Sequence, residues 1–202
     1  MRVALIAIAG VLLVVLAGGQ LALPGIAERQ VASRLTEGGG EARVSMSAFP
    51  AARLLFNDGA RLEVRASDLD LGLTERTEVF DRLDGFGEVD VAIDDFSSGP
   101  FALDRFRLTR SGSAPYRLTA RGDAVPADVV AYGVGRLGLP GGGLLGGLTG
   151  QALGSAPVPF TLDMELASDD GRILVVGGGG TVAGVPAGPL ARLLTAAIVV
   201  RL

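Results

Sequence analysis

From residue 42 onward the apolar residues recur at every second position, and this alternation restricts the fold more than any other feature of the chain. Successive side chains of a strand point to opposite faces, so a period of two marks strands with one dry and one wet face. The stretch ARLEVRA sets Leu62, Val64 and Ala66 against Arg61, Glu63 and Arg65, and EVDVAID sets Val89, Val91 and Ile93 against Glu88, Asp90 and Asp94. Two later runs repeat the pattern. PYRLTARGDA opposes Tyr116, Leu118 and Ala120 to Arg117, Thr119 and Arg121, while VPFTLDMELAS aligns Val158, Phe160, Leu162, Met164 and Leu166 against Thr161, Asp163 and Glu165. Such strands are expected to be antiparallel and half-solvated.

The phase slips twice, where Leu62/Val64/Ala66 gives way to Leu69/Leu71 and where Phe101/Leu103 gives way to Phe106/Leu108. One extra residue in a strand does this, and it bends and twists the sheet. Turns are marked by NDG at 57–59, SSGP at 97–100, SGSAP at 111–115 and SDDG at 168–171. Helical patterns are few: a short one after the Pro24-Gly25 break, carrying Ile26, Val31 and Leu35 and ending at Gly38–Gly40, then Thr74–Leu83, a segment opening at Pro126, and one from Pro189. The expected fold is α+β, a long, strongly curved antiparallel sheet wrapped around a few short helices. Few helices over many long strands leave either a fully packed core or an elongated apolar groove.

Composition removes several kinds of chemistry. The chain has no Cys, His or Trp, so neither a Ser-His-Asp nor a Cys-His system can be assembled, and the usual zinc, haem and iron–sulfur ligands are missing. No cofactor is implied. All eighteen basic residues are arginine and the net charge is −4, which argues against non-specific binding of nucleic acid. With 49% hydrophobic residues there is ample material for a core.

The chain opens with Arg2 and an apolar run from Val3 to Gly19, with Leu21 to Leu23 continuing it. That length suits a membrane-spanning helix, with a cleaved secretory signal as the alternative. Residues 1–23 are therefore expected to be an anchor or signal, and residues 24–202 a single domain on the extracytoplasmic side of a cell membrane. An apolar groove so close to a bilayer suits an acyl chain.

Other motifs carry less. The glycine-rich stretches GLPGGGLLGGLTGQALG and VVGGGGTVAG lack the context of a phosphate loop, and RGD at 121–123 falls within a strand. Asp68 and Asp70, at a strand slip, and Asp169/Asp170, before Gly171, read as wet-face and turn residues before they read as metal ligands. Arg105, Arg107 and Arg110 on one strand and Arg117 and Arg121 on the next raise a pairing question. A hairpin across SGSA sets Arg105 opposite Arg121 and Arg107 opposite Thr119, or else Arg107 opposite Arg117. Either Asp90 and Asp94 neutralise these arginines from the neighbouring strand, or Arg105, Arg107, Arg117 and Arg121 hold a phosphate headgroup. A carboxylate-based hydrolase would draw on Asp81, Asp84 and Glu88.

The break at SAFPAARLLFNDG, residues 47–59, is the most unusual local feature. Pro50 has no N–H to give and ends a strand's pairing, and the apolar Ala51–Phe56 after it predicts a flap at the sheet's end. Phe49, Pro50, Leu54, Leu55 and Phe56, with Phe160, Leu162 and Met164 on the dry face, are the candidate lipid contacts.

LPGIAERQVASRL behind an apolar N-terminus, VSMSAFPAARLLFNDGARLEVRASDLDL, GEVDVAIDDF, and a late SDDGRILVVGGGGTVAGVP before an apolar end together resemble the actinobacterial LmeA-type phospholipid-binding family, over residues 23–202. The resemblance implies an exported, often tethered envelope protein that binds phospholipid and supports lipid-linked envelope components without catalysing a reaction. It implies a tubular lipid-binding fold, in which a curved sheet encloses helix and acyl chain. Phe49 and Pro50 match the family-like FP pair, and no headgroup residue is implied. A scaffold that binds envelope protein partners is the alternative.

Overall fold

Seven strands form one open sheet whose spatial order follows the chain. A computed structural model of the protein describes residues 20, 22–72, 79–128, 156–179, 181–182 and 185–202. Helix α1 covers 22–35 and tightens into a 3-10 turn at Thr36–Gly38. The strands are β1 (Glu41–Ser47), β2 (Asp58–Ser67), β3 (Gly85–Ser98), β4 (Phe101–Ser111), β5 (Tyr116–Ala124), β6 (Val158–Asp169) and β7 (Arg172–Gly178). A 3-10 helix, Ala51–Phe56, joins β1 to β2, and the single turn α2, Asp81–Asp84, precedes β3. A small ribbon of β8 (Thr181–Val182) and β9 (Val185–Pro186) leads into α3, Ala187–Val199.

The sheet is mixed, which corrects the expectation of a wholly antiparallel one. β2 and β3 run parallel, with Leu62 beside Val89 and Val64 beside Val91, and every other neighbouring pair is antiparallel. Alternation looks the same in either direction, so the pattern carried no information about orientation. Parallel neighbours need a crossover in place of a tight turn. Residues 68–84 make it, and Leu69, Leu71, Val79, Phe80 and Leu83 from this segment are buried in the core.

Both phase slips are real. In β4, Leu103 faces Gly122 while Arg105 faces Arg121, which leaves Asp104 as the extra residue of a bulge. A Cβ at Gly122 would collide with the Ala102 carbonyl, so the bulge accounts for the glycine of RGD. β3 steps at Asp95 (φ 50°), and the chain leaving β2 steps at Asp68 (φ 56°) before Asp70 bridges Ser97. Three neighbouring segments change phase together, and Leu69, Phe96 and Leu103 all stay on the dry side. The SDDG turn has Asp170 at φ 49° and Gly171 at φ 79°, the left-handed pair that a two-residue hairpin favours.

The dry face of the sheet is covered by α3, through Ala191, Leu194 and Ile198, by the crossover, and by Val31 and Leu35 of α1. Each fully buried Leu, Ile or Phe contributes about 1.5–3 kcal/mol. Pro24 and Gly25 lie inside helical residues 22–35, so they do not mark its start as expected. Of the helix expected over Thr74–Leu83, residues 79–83 are described, and the helix there begins only at Asp81, with Val79 and Phe80 outside it; of the Pro126 segment only 126–128 are described. The apolar run 3–19 and the first glycine-rich stretch lie outside the described residues; within them, no helix is long and apolar enough to cross a membrane.

Candidate functional site

The break after β1 builds the most exposed apolar surface of the described residues. Pro50, in extended conformation, stands before the 3-10 helix, and the Phe49–Pro50 peptide is cis. Three residues per turn divide this short helix into two sides. Ala51 and Leu54 point inward, while Leu55 is 69% and Phe56 82% exposed, with Phe49 83% exposed beside them. The flap is tied at both ends. The Ala51 N–H donates to Gln20 Oε1 at 2.8 Å, and Gln20 Nε2 donates to the Ala48 carbonyl at 3.2 Å. Asn57 closes the helix at φ 53°, and Arg53 forms a two-pronged ion pair with Asp58, which holds that carboxyl below its ordinary range.

Behind the flap lies a cavity of about 280 Å³. Ile26 and Val31 of α1, Met46 of β1, Leu54 and Leu55 of the flap, Leu62 of β2 and Phe86 of β3 form its apolar wall. Gln30, Arg34, Asn57 and Arg82 are its polar lining. Glu28 Oε1 accepts the Met46 N–H at 2.8 Å, pinning α1 at one level and blunting that edge of the sheet.

Phe160, Leu162 and Met164 are buried on the dry face of β6, with Phe160 edge-on to Phe101 at 6.1 Å, and none of them lines this cavity. Pro50 is exposed beside Phe49, and Leu54 is buried between flap and cavity. The arginines take the first of the two registers, Arg105 opposite Arg121 and Arg107 opposite Thr119. Asp94 pairs with Arg105 at 3.1 Å, Asp90 with Arg107 at 3.1 Å and Arg65 at 2.9 Å, and Asp163 with Arg117 at 3.4 Å. Burial alone would raise the Asp90 carboxyl, but hydrogen bonds from Arg65 and Arg107 outweigh it and hold the group below its ordinary range. The wet face is thus largely self-neutralised.

Arg110 leaves that group entirely. Its side chain is only 9% exposed; it pairs with Asp84 at 3.1 Å, donates to the carbonyls of Leu83, Asp84 and Phe86, and stacks over the Tyr116 ring at 4.5 Å. Tyr116 Oη donates to Asp84 Oδ1 at 2.9 Å, and Ser168 Oγ donates to Asp84 Oδ2. Asp84, a candidate acid, is therefore saturated by three donors. Among the described residues no group of three or more acidic side chains is placed to hold a metal ion, and Asp70 accepts from Ser97 Oγ at 3.0 Å.

No family model, curated protein or solved structure matches the chain. The cavity and its two arginines were missed by sequence reasoning. Arg34 sits beside the apolar spacing Val31–Leu35 and Arg82 beside Leu83, and this adjacency was the only available signal.

Proposed function

We propose that the protein is an exported, membrane-associated phospholipid-binding protein that holds an acyl chain in an apolar groove and supports the upkeep of cell-envelope lipid or lipoglycan. It binds and does not catalyse. On this reading residues 1–23 tether it to the membrane, the domain sits on the extracytoplasmic side, and the sheet curves around its helices in the manner of tubular lipid-binding folds. One observation carries the reading: Leu55 is at once exposed and part of the cavity wall, so the apolar surface of Phe49 and Phe56 continues into the interior. Large exposed apolar side chains grouped beside a cleft favour contact with lipid or protein. The likeness of FPAARLLFNDG and its flanking strands to the LmeA-type family supports lipid.

The test is association of the full chain with phospholipid vesicles by co-sedimentation, followed by native mass spectrometry of the recovered protein. Native protein is expected to bind and to carry phospholipid. The Leu55→Asp/Phe56→Asp variant should associate at least tenfold more weakly while keeping its unfolding midpoint. A native protein that neither sediments with vesicles nor retains lipid would sink the reading.

A scaffold role draws on a separate feature, the exposed Leu174, Val175 and Val176 on edge strand β7. An unpaired apolar edge suits strand addition by a protein partner.

A further inference from the structure

We infer that the cavity behind the flap selects anionic phospholipid, with Arg34 and Arg82 receiving the phosphate while a single acyl chain occupies the apolar wall. The inference rests on the lipid-binding reading and names the ligand class of the same site.

Charge distribution is the first argument. Most arginines on the wet face have a carboxylate at hand: Arg61, Arg65, Arg105, Arg107 and Arg117 form ion pairs, as do Arg53 in the flap and the enclosed Arg110. Arg29, Arg43, Arg121, Arg192 and Arg201 have none among the described residues; Arg34 and Arg82, also without one, are set apart by where they stand. They line one cavity that has no acidic side chain in its wall, Leu202 bordering it as well, and among the described residues neither has a carboxylate within ion-pair distance. Among the described residues Arg82 makes one hydrogen bond, from Nη1 to the Val200 carbonyl at 2.9 Å, and Arg34 makes none. Guanidinium groups left unneutralised beside an apolar wall favour a ligand that brings a negative charge and an apolar body together. A phosphate diester suits them, because its oxygens accept paired N–H donors in the fork geometry of arginine.

Size is the second argument. At about 280 Å³ the cavity stands at the lower edge of ordinary small-ligand sites, which begin near ~300 Å³. It does not enclose a two-chain lipid. The second chain stays outside, alongside Phe49, Leu55 and Phe56, where the flap meets the bilayer. The protein therefore holds its lipid half-withdrawn from the membrane.

The test incubates the full chain with vesicles of pure phosphatidylcholine or of phosphatidylcholine containing phosphatidylglycerol, removes the vesicles, and counts retained lipid by native mass spectrometry. About tenfold preferential retention of phosphatidylglycerol is expected. Arg34→Gln/Arg82→Gln should bring phosphatidylglycerol down to the phosphatidylcholine level, whereas Arg105→Gln/Arg117→Gln on the wet face should change nothing. Arg34→Gln alone, which breaks no bond of the fold, should lower the preference about threefold and guards against misfolding of the double variant. Equal retention of both lipids, or an unchanged preference in Arg34→Gln and in the folded double variant, would overturn the inference and leave lipid binding standing. Displacement of the lipid by millimolar inorganic phosphate would also overturn it, since the site would then read a free anion. Retention of no lipid at all would instead defeat the lipid-binding reading beneath it.

Discussion

The single turn α2 divides one end of the sheet into two regions of opposite character. On the side of β4, β5 and β6, Asp84 is saturated by Arg110, Tyr116 and Ser168, Phe80 stacks on Tyr116 at 4.3 Å, and Arg110 is almost wholly enclosed. On the side of α1, β1 and β2, Arg82 reaches into a cavity where no carboxylate meets it and where the wall continues into exposed Leu55. One residue, Leu83, separates Arg82 from Asp84 in the chain, yet Asp84 belongs to a polar cluster and Arg82 to an open, largely apolar cavity. Stability is concentrated in the first region and binding capacity in the second, because a well-connected, partly buried polar cluster resists opening, even with Arg110 Nε unpartnered among the described residues, whereas an unfilled wall gains from a ligand.

The comparison breaks most visibly at Arg110. Arg110→Ala removes one of the three donors to Asp84 and a donor to three backbone carbonyls, and a loss of about 2 kcal/mol is expected from chemical denaturation. A loss below about 1 kcal/mol would show that the cluster does not hold this end of the sheet.

Alkaline titration is the next probe. Burial, opposed by Arg110 and reinforced by Asp84, pushes the Tyr116 phenol well above its ordinary value. A raised folded-state pKa means that the folded protein keeps a proton the unfolded chain has released. Stability is then constant below pH ~10 and falls by about 1.4 kcal/mol for each further pH unit. Tyr116→Phe should remove most of that fall, at a cost of about 1 kcal/mol near neutrality from the lost hydrogen bond to Asp84. Thermal melts of both proteins between pH 8 and 11 supply the measurement.

The smallest stability effect is expected at the flap. Leu55→Asp/Phe56→Asp should shift the unfolding free energy by no more than about 0.5 kcal/mol, as ordinary surface substitutions do. Neighbouring Leu54→Ala should cost about 2 kcal/mol, because Leu54 is buried. Equal losses at Leu54 and at Leu55/Phe56 would make the flap core and erase the difference between the two regions.

Much of this was legible beforehand. Alternation assigned Val89, Val91 and Ile93 inward and Asp90 and Asp94 outward, and the phase slip placed a bulge between Leu103 and Phe106, where Asp104 proves to be the extra residue. Asp90 and Asp94 were foreseen as partners for the neighbouring arginines, and Pro50 as the end of a strand's pairing. The direction of β3 relative to β2 was not legible, since a strand shows the same faces whichever way it runs. Nor were Arg34 and Arg82, which meet only because α1 and α2 come to border the same space. Arg110 looked like one more member of an arginine row, and its departure from the wet face depends on how α2 closes over the start of β3.

By itself the sequence determined which side of each strand is dry, where the hairpins at 97–100, 111–115 and 168–171 turn, though not that NDG at 57–59 caps the flap helix and opens β2, and which chemistries the missing Cys and His exclude, because periodicity, turn preference and side-chain inventory are local properties. Tertiary structure alone decided the parallel β2–β3 pair, the cluster around Asp84 and the meeting of Arg34 and Arg82 at one cavity. Those outcomes depend on which surfaces approach each other across long stretches of chain, and pairing and burial are properties of that approach.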